Sequence, residues 1–287
     1  MSATEAPLIS PAPKTFQSSL TGTDVGLSQL RVIRSEWTNL VSLRSTIITL
    51  FLAALFFIGL GMLHSYITVH RWDRLDPRER AHFDAVNVAM TGIFLAQLAM
   101  GVLGVLLVSG EYSTGMIRAT FSAVPRRLPV LWGKLVVFAV VGFVLMFAAA
   151  LIAFFASQQM LSLSSHHLTT TIGHPGVLRA VTGGAAYLTL IGLMGIGLGA
   201  LLRNTAGGIS SLAGLLFVVP VLANVTLPQS WNDTISPYFP SHAGESLFSL
   251  HGPDPTSLSP GPALAVMFAY VAVFVATAAV AMLRRDA

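Results

Sequence analysis

The run Val136-Val-Phe-Ala-Val-Val-Gly-Phe-Val-Leu-Met-Phe-Ala-Ala-Ala-Leu-Ile-Ala-Phe-Phe-Ala156 contains no charged, amide or hydroxyl side chain. Coiled as an α-helix with a rise of about 1.5 Å per residue, such a run is about 30 Å long, the thickness of a bilayer's hydrocarbon core. A backbone in lipid has no water to bond, so it must satisfy its own N–H and C=O groups, and a single segment does so only as a helix. The charge-free region around the run extends from Leu135 to Leu178, between Lys134 and Arg179.

Five further stretches lack charge in the same way: Ser45 to His70, Ala85 to Gly110, Ala180 to Leu202, Asn204 to Asn232 and Pro255 to Leu283. The bunching of charge matters because a central Asp or Arg costs at least about 2.5–3.5 kcal/mol on membrane insertion. Over the 287 residues, 54% are apolar and 10% charged, against roughly 25% charged in an ordinary soluble domain. The sequence therefore predicts an all-α polytopic membrane protein with six transmembrane helices. The spans are drawn at Thr46 to Leu63, Val86 to Val108, Val136 to Ala156, Val181 to Leu202, Ile209 to Leu227 and Ala263 to Leu283. The chain has no cysteine, which removes disulfides and thiolate metal sites. Its net charge of +4 is read as anchoring on the cytoplasmic side of the membrane, and no nucleic-acid partner is expected.

Three regions follow. Residues 1–26 are rich in Ser, Thr and Pro and predict a disordered cytosolic tail without the basic and apolar blocks of a cleaved signal. Over 27–44, Leu30, Ile33, Trp37, Leu40 and Val41 recur at helical spacing, with Arg31, Arg34, Thr38 and Asn39 elsewhere around the helix; this predicts an amphipathic helix at the membrane surface. Residues 45–287 form the transmembrane domain.

Six crossings put both termini on one side. With the termini inside, Lys14, Arg31, Arg34, Arg44, Arg118, Arg126, Arg127, Lys134, Arg203, Arg284 and Arg285 are cytoplasmic, and Arg71, Arg74, Arg78, Arg80 and Arg179 are outside. The excess of inner positive charge sets that orientation. The four Arg of the first outer loop stand among Asp73, Asp76, Glu79 and Asp84, which neutralise them as a set. The last outer loop, Pro228 to Pro262, holds no Lys or Arg, and its apolar Phe239, Leu247, Phe248 and Leu250 predict short helices at the outer face.

Motifs for chemistry are absent or explained otherwise. Gly195, Gly197 and Ala200 fit a loose dinucleotide fingerprint, but they lie inside an apolar span, where Gly192, Gly195 and Gly199 make a small-residue surface for helix packing. Gly133-Lys134 resembles the end of a phosphate-binding loop, yet Leu128 and Leu135 stand where that loop needs Gly and Ser or Thr. His166, His167 and His174 share one loop with no acid or Cys nearby to complete a metal site. No catalytic residue, cofactor or metal is expected.

The informative segment joins spans two and three: Glu111-Tyr-Ser-Thr-Gly115-Met-Ile-Arg118-Ala-Thr-Phe121-Ser-Ala-Val-Pro125-Arg126-Arg127. Ile117, Phe121 and Val124 fall on one helical face, and Pro125 disfavours helix at the residue before it. A short amphipathic cytoplasmic helix is predicted, of the kind that docks in a partner's groove. Glu111, at the exit of span two, is placed to pair with a cation or to cap the short helix, where a carboxylate gains about 0.3–1 kcal/mol.

With these residues in place the chain resembles the membrane subunits of ABC-2-type transporters. Their pattern is an acid, a Gly about four residues on, a short helix, a Pro with basic residues, and a Lys before the next span; Glu111, Gly115, Arg118, Pro125, Arg126, Arg127 and Lys134 occupy those positions, with Met116 where Thr is frequent. The resemblance extends to the surface helix, the six spans and the long last outer loop. It implies a permease in a bacterial inner membrane whose coupling helix, with Ile117 and Phe121 on its docking face, sits on a separate ATP-binding subunit. It implies too a second permease copy or a homologous permease beside it, membrane lipid around it, and export of the cargo.

The neutral spans favour a small or amphipathic substrate, and Asn87, Gln97 and Asn224 are the polar groups expected near a pathway or in helix packing. Two rivals keep the same layout. One is a lipid-modifying membrane enzyme with a site built from His166, His174, Asp233 and Glu245. The other is a non-transporting anchor or immunity protein.

Overall fold

The computed structural model describes residues 29–113, 127–250 and 256–284. The expected tail over 1–26 and the expected coupling helix between Thr114 and Val124 lie outside the described residues. All regular structure among the described residues is helical, and six helical stretches are long and apolar enough to cross a membrane.

In chain order the helices are α1 (Gln29–Ser42), α2 (Arg44–Arg71), α3 (Pro77–Ala81), α4 (Ala85–Met90), α5 (Ile93–Ser113), α6 (Arg127–Leu161), α7 (Val177–Leu202), α8 (Thr205–Ala213), α9 (Val219–Thr226), α10 (Gln229–Ile235), α11 (Pro240–Phe248) and α12 (Pro260–Arg284). The six membrane-length stretches are Arg44–Arg74, Ala85–Tyr112, Leu128–Leu161, Val177–Leu202, Thr205–Thr226 and Pro260–Arg284. The third overruns the drawn span by about two turns at its start and one at its end, because helix geometry continues through Lys134, Gln158 and Gln159, which a count of apolar residues excludes.

α7 is the centre of the bundle. Its Tyr187, Leu188, Ile191, Met194 and Ile196 are fully buried, and α5, α6, α11 and α12 surround it. The small-residue surface read from the sequence faces these neighbours: a Cβ on Gly195 would strike the Gly101 carbonyl of α5, and one on Gly199 would meet the Val105 backbone at 2.7 Å. Backbones in such contact gain dispersion energy, which replaces the hydrophobic drive that lipid does not supply. The outer helices present apolar surface instead, with Phe51, Val144 and Val225 among the most exposed side chains. Surface of this kind suits lipid and would aggregate in water.

Two spans are interrupted. The second breaks at Thr91 and Gly92 between α4 and α5; Gly92 lies against the Phe57 backbone of α2 with no room for a Cβ, and the Thr91 hydroxyl lies 2.7 Å from His64 Nδ1. The fifth carries a π turn at Gly214–Val218 between α8 and α9, just before Pro220, whose missing N–H cannot bond the preceding turn.

The loop acids of the first connection are used as helix caps. Asp76 accepts from Arg78 N, Asp84 accepts from Val86 N, and the Arg80 guanidinium donates to the Leu75 and Asp73 carbonyls. At the same end, α11 rests on α7: Arg179 donates to the Ser249 carbonyl at 2.9 Å, and Gly244 fits against the Tyr187 ring.

Candidate functional site

At the opposite end of the bundle, α1, the end of α5 and the start of α6 converge. Gly133 opens α6 to α1, since a Cβ there would lie 3.0 Å from Val32 Cγ1 and 3.4 Å from Glu36 Cγ. That closeness lets the next residue reach two acids. Lys134 Nζ donates to Glu36 Oε2 at 2.7 Å and to Glu111 Oε1 at 2.6 Å. Asn39 Nδ2 lies 3.5 Å from the same Glu111 oxygen.

The triad is largely removed from water: 7% of the Lys134 side chain is exposed, with 11% for Glu36 and 14% for Glu111. Two carboxylates share one ammonium, so with all three ionised the cluster carries one negative charge. Burial pushes the Glu36 carboxyl above its ordinary value, the Lys134 ammonium opposes that rise, and the Glu111 charge adds to it. Beside the triad, Arg203 stacks its guanidinium 5.1 Å above the Tyr112 ring, and Ser109 Oγ lies 2.8 Å from Thr205 Oγ1. A cavity of 310 Å³ adjoins Asn39, Thr46, Leu103 and Glu111.

The buried face of α1 differs from the apolar stripe read in the sequence. Val32, Glu36 and Leu40 are buried, whereas Trp37 is 50% exposed and Val41 46%. The pairing with Lys134 turns the acid inward and leaves Trp37 and Val41 on the open side. Glu36 was missed because periodicity ranks apolar residues alone; the available signal was a lone acid four residues after Val32 and four before Leu40.

Of the expected coupling residues, Glu111 is placed as described. Gly115, Ile117, Arg118, Phe121, Pro125 and Arg126 lie outside the described residues, and Arg127 begins α6. The three expected pathway or packing residues do not come together. Gln97 is buried between α5 and α7, accepting from the Tyr187 hydroxyl and donating to the Phe94 carbonyl at 3.2 Å. Asn87 is exposed in α4. Asn224, exposed in α9, accepts from Asn232 Nδ2 at 3.3 Å.

Two loop residues of the enzyme reading, His166 and Asp233, have different partners. His166 Nε2 is 3.2 Å from Asp73, and Asp233 accepts from Gln229 at 2.8 Å. Among the described residues no three His, Asp or Glu side chains gather as a metal site. No family model matches the chain, and no curated protein matches it.

Proposed function

We propose that the chain is the permease subunit of an ABC transporter of the ABC-2 type, with no ATPase activity of its own. It works in a bacterial inner membrane with both termini in the cytoplasm, beside a second permease copy or a homologous permease. A separate nucleotide-binding subunit hydrolyses ATP, and the cargo is a small or amphipathic molecule moved outward.

The observation that carries this reading is the ion triad of Glu36, Glu111 and Lys134. It ties α1, α5 and α6 together at the base of the segment from Thr114 to Arg126, the place where the resemblance puts the motor contact. A rigid base suits the mechanism: closure of the nucleotide-binding subunits pushes on the intervening segment, and α5 and α6 move with it as a body. The mostly neutral spans and the lipid-suited outer surface support an amphipathic cargo over a strongly ionic one.

Affinity purification of the full chain from mild detergent tests the proposal. The expected outcome is co-purification of an ATPase that is released by Arg118→Glu and by Phe121→Asp. Binding that survives both substitutions would remove the coupling role.

A further inference from the structure

The end of the bundle remote from the triad holds a second cavity, of 590 Å³, between the end of α9, α10 and the start of α11. Its volume falls within the roughly 300–1,000 Å³ of small-molecule sites. Asn224, Gln229, Asn232, Asp233, Ser236 and His242 line it, with Pro220 and Val221 supplying apolar wall.

The wall is rich in hydrogen-bonding groups and carries a single acid. It offers three side-chain amides, the hydroxyls of Ser236 and Thr256, an imidazole and one carboxylate, which accepts from Gln229 Nε2. His242 Nδ1 sits 2.7 Å from Ser236 Oγ. The Asn232 amide gives its N–H to Asn224, but its Oδ1 is shielded from solvent and has no hydrogen-bond partner. That oxygen is closed off by the protein itself, so the polar groups open to a ligand are the remaining amide, hydroxyl, imidazole and carboxylate atoms of the wall.

Ligand charge can be sorted on the same grounds. Between Pro228 and Pro262 there is no Lys or Arg, so nothing cationic of fixed charge stands ready for a phosphate or carboxylate. For an ammonium the described cavity wall offers a single acid, Asp233, and no aromatic cage. Vicinal hydroxyls remain: each both donates and accepts, matching amides beside a carboxylate, and the C–H face of a sugar-like ring suits Pro220 and Val221. On the same helix as the lining residue Val221, Leu222 and Val225 are exposed and apolar.

We infer that this cavity binds an uncharged polyhydroxylated group, presented either by a soluble polyol or by the headgroup of an amphiphile whose tail lies along α9. The site is separate from the proposed motor contact and stands whether or not an ATPase binds.

Equilibrium dialysis of a radiolabelled short-chain alkyl glucoside against full-length protein in phosphatidylcholine nanodiscs, corrected by empty nanodiscs, tests the site. Saturable binding to one site per chain is expected, displaced by unlabelled glucoside and not by an alkyl phosphocholine or alkyl amine of equal chain length. Displacement by free glucose as well assigns the site to soluble polyols; its failure assigns it to amphiphiles. Asn232→Leu and Asp233→Ala should each weaken binding about tenfold. Absence of saturable binding, equal displacement by the phosphocholine or amine, or wild-type affinity in both variants would overturn the inference. The displacement arms use the wild-type chain, so a variant that fails to fold leaves the test intact.

Discussion

Lys134 is the residue on which the charged end depends. Its replacement by Met leaves Glu36 and Glu111 buried with no counter-charge, and breaking a buried pair in this way costs about 3–5 kcal/mol. Thermal unfolding in mild detergent should show that loss as a lowered midpoint. Glu36→Gln should cost less than about 1 kcal/mol, because the amide oxygen still accepts from Lys134 and a one-to-one ion pair remains with Glu111. The same acid gives stability a pH dependence. Its folded-state pKa lies above the ordinary 4.5, so between the two values the folded chain holds more proton than the unfolded one. The Glu36 contribution is therefore whole below 4.5 and is lost as pH rises through the raised value. Melting temperatures of the wild type should fall across that interval, and those of Glu36→Gln should fall less. A steeper fall in the variant would mean that another group sets the dependence. Sequence reading found Glu111 and Lys134 because both border the segment that carries the resemblance; Glu36 escaped because its partner lies 98 positions away, where no local pattern reaches.

Among the helices, the crossing of α5 with α7 is the most demanding contact. Gly195→Ala should destabilise by about 1–3 kcal/mol, since the added methyl meets a carbonyl oxygen of the facing backbone and the helices must part. Gly59→Ala is the matched control: beyond the backbone of its own helix nothing lies within 4 Å of a Cβ built there, and the change should be neutral or gain up to about 1 kcal/mol through helix propensity. Unfolding midpoints of the two variants in one detergent check both signs, and equal midpoints would show that α5 and α7 do not pack this closely. The existence of six membrane-length helices and the small-residue surface of α7 were legible because lipid punishes charge and rewards close backbones. The interruptions were not. The break at Thr91 and Gly92 depends on the Phe57 backbone of another helix, and in the π turn at Gly214–Val218 the Val219 N–H reaches back to the Gly214 carbonyl, which no residue pattern announces.

For the whole molecule, the two ends of the bundle differ in kind, one holding the ion triad and the other the polar cavity. Topology reporters fused at Asp76 and at the C-terminus should read opposite sides, outside and cytoplasm respectively. A cytoplasmic Asp76 would overturn the orientation and with it the motor contact. The expected orientation rests on the sorting of positive charge between the two faces. The polar cavity could not be foreseen, because Asn224 and Asn232 meet only through the turn after α9. The bond between Lys134 and Glu111 closes a ring in the chain, joining positions 23 apart. Such a staple holds the end of α5 against the start of α6 at one fixed spacing. Under the proposed function, substitutions between positions 114 and 126 would then change which ATPase is accepted while this bond still joins the two helices.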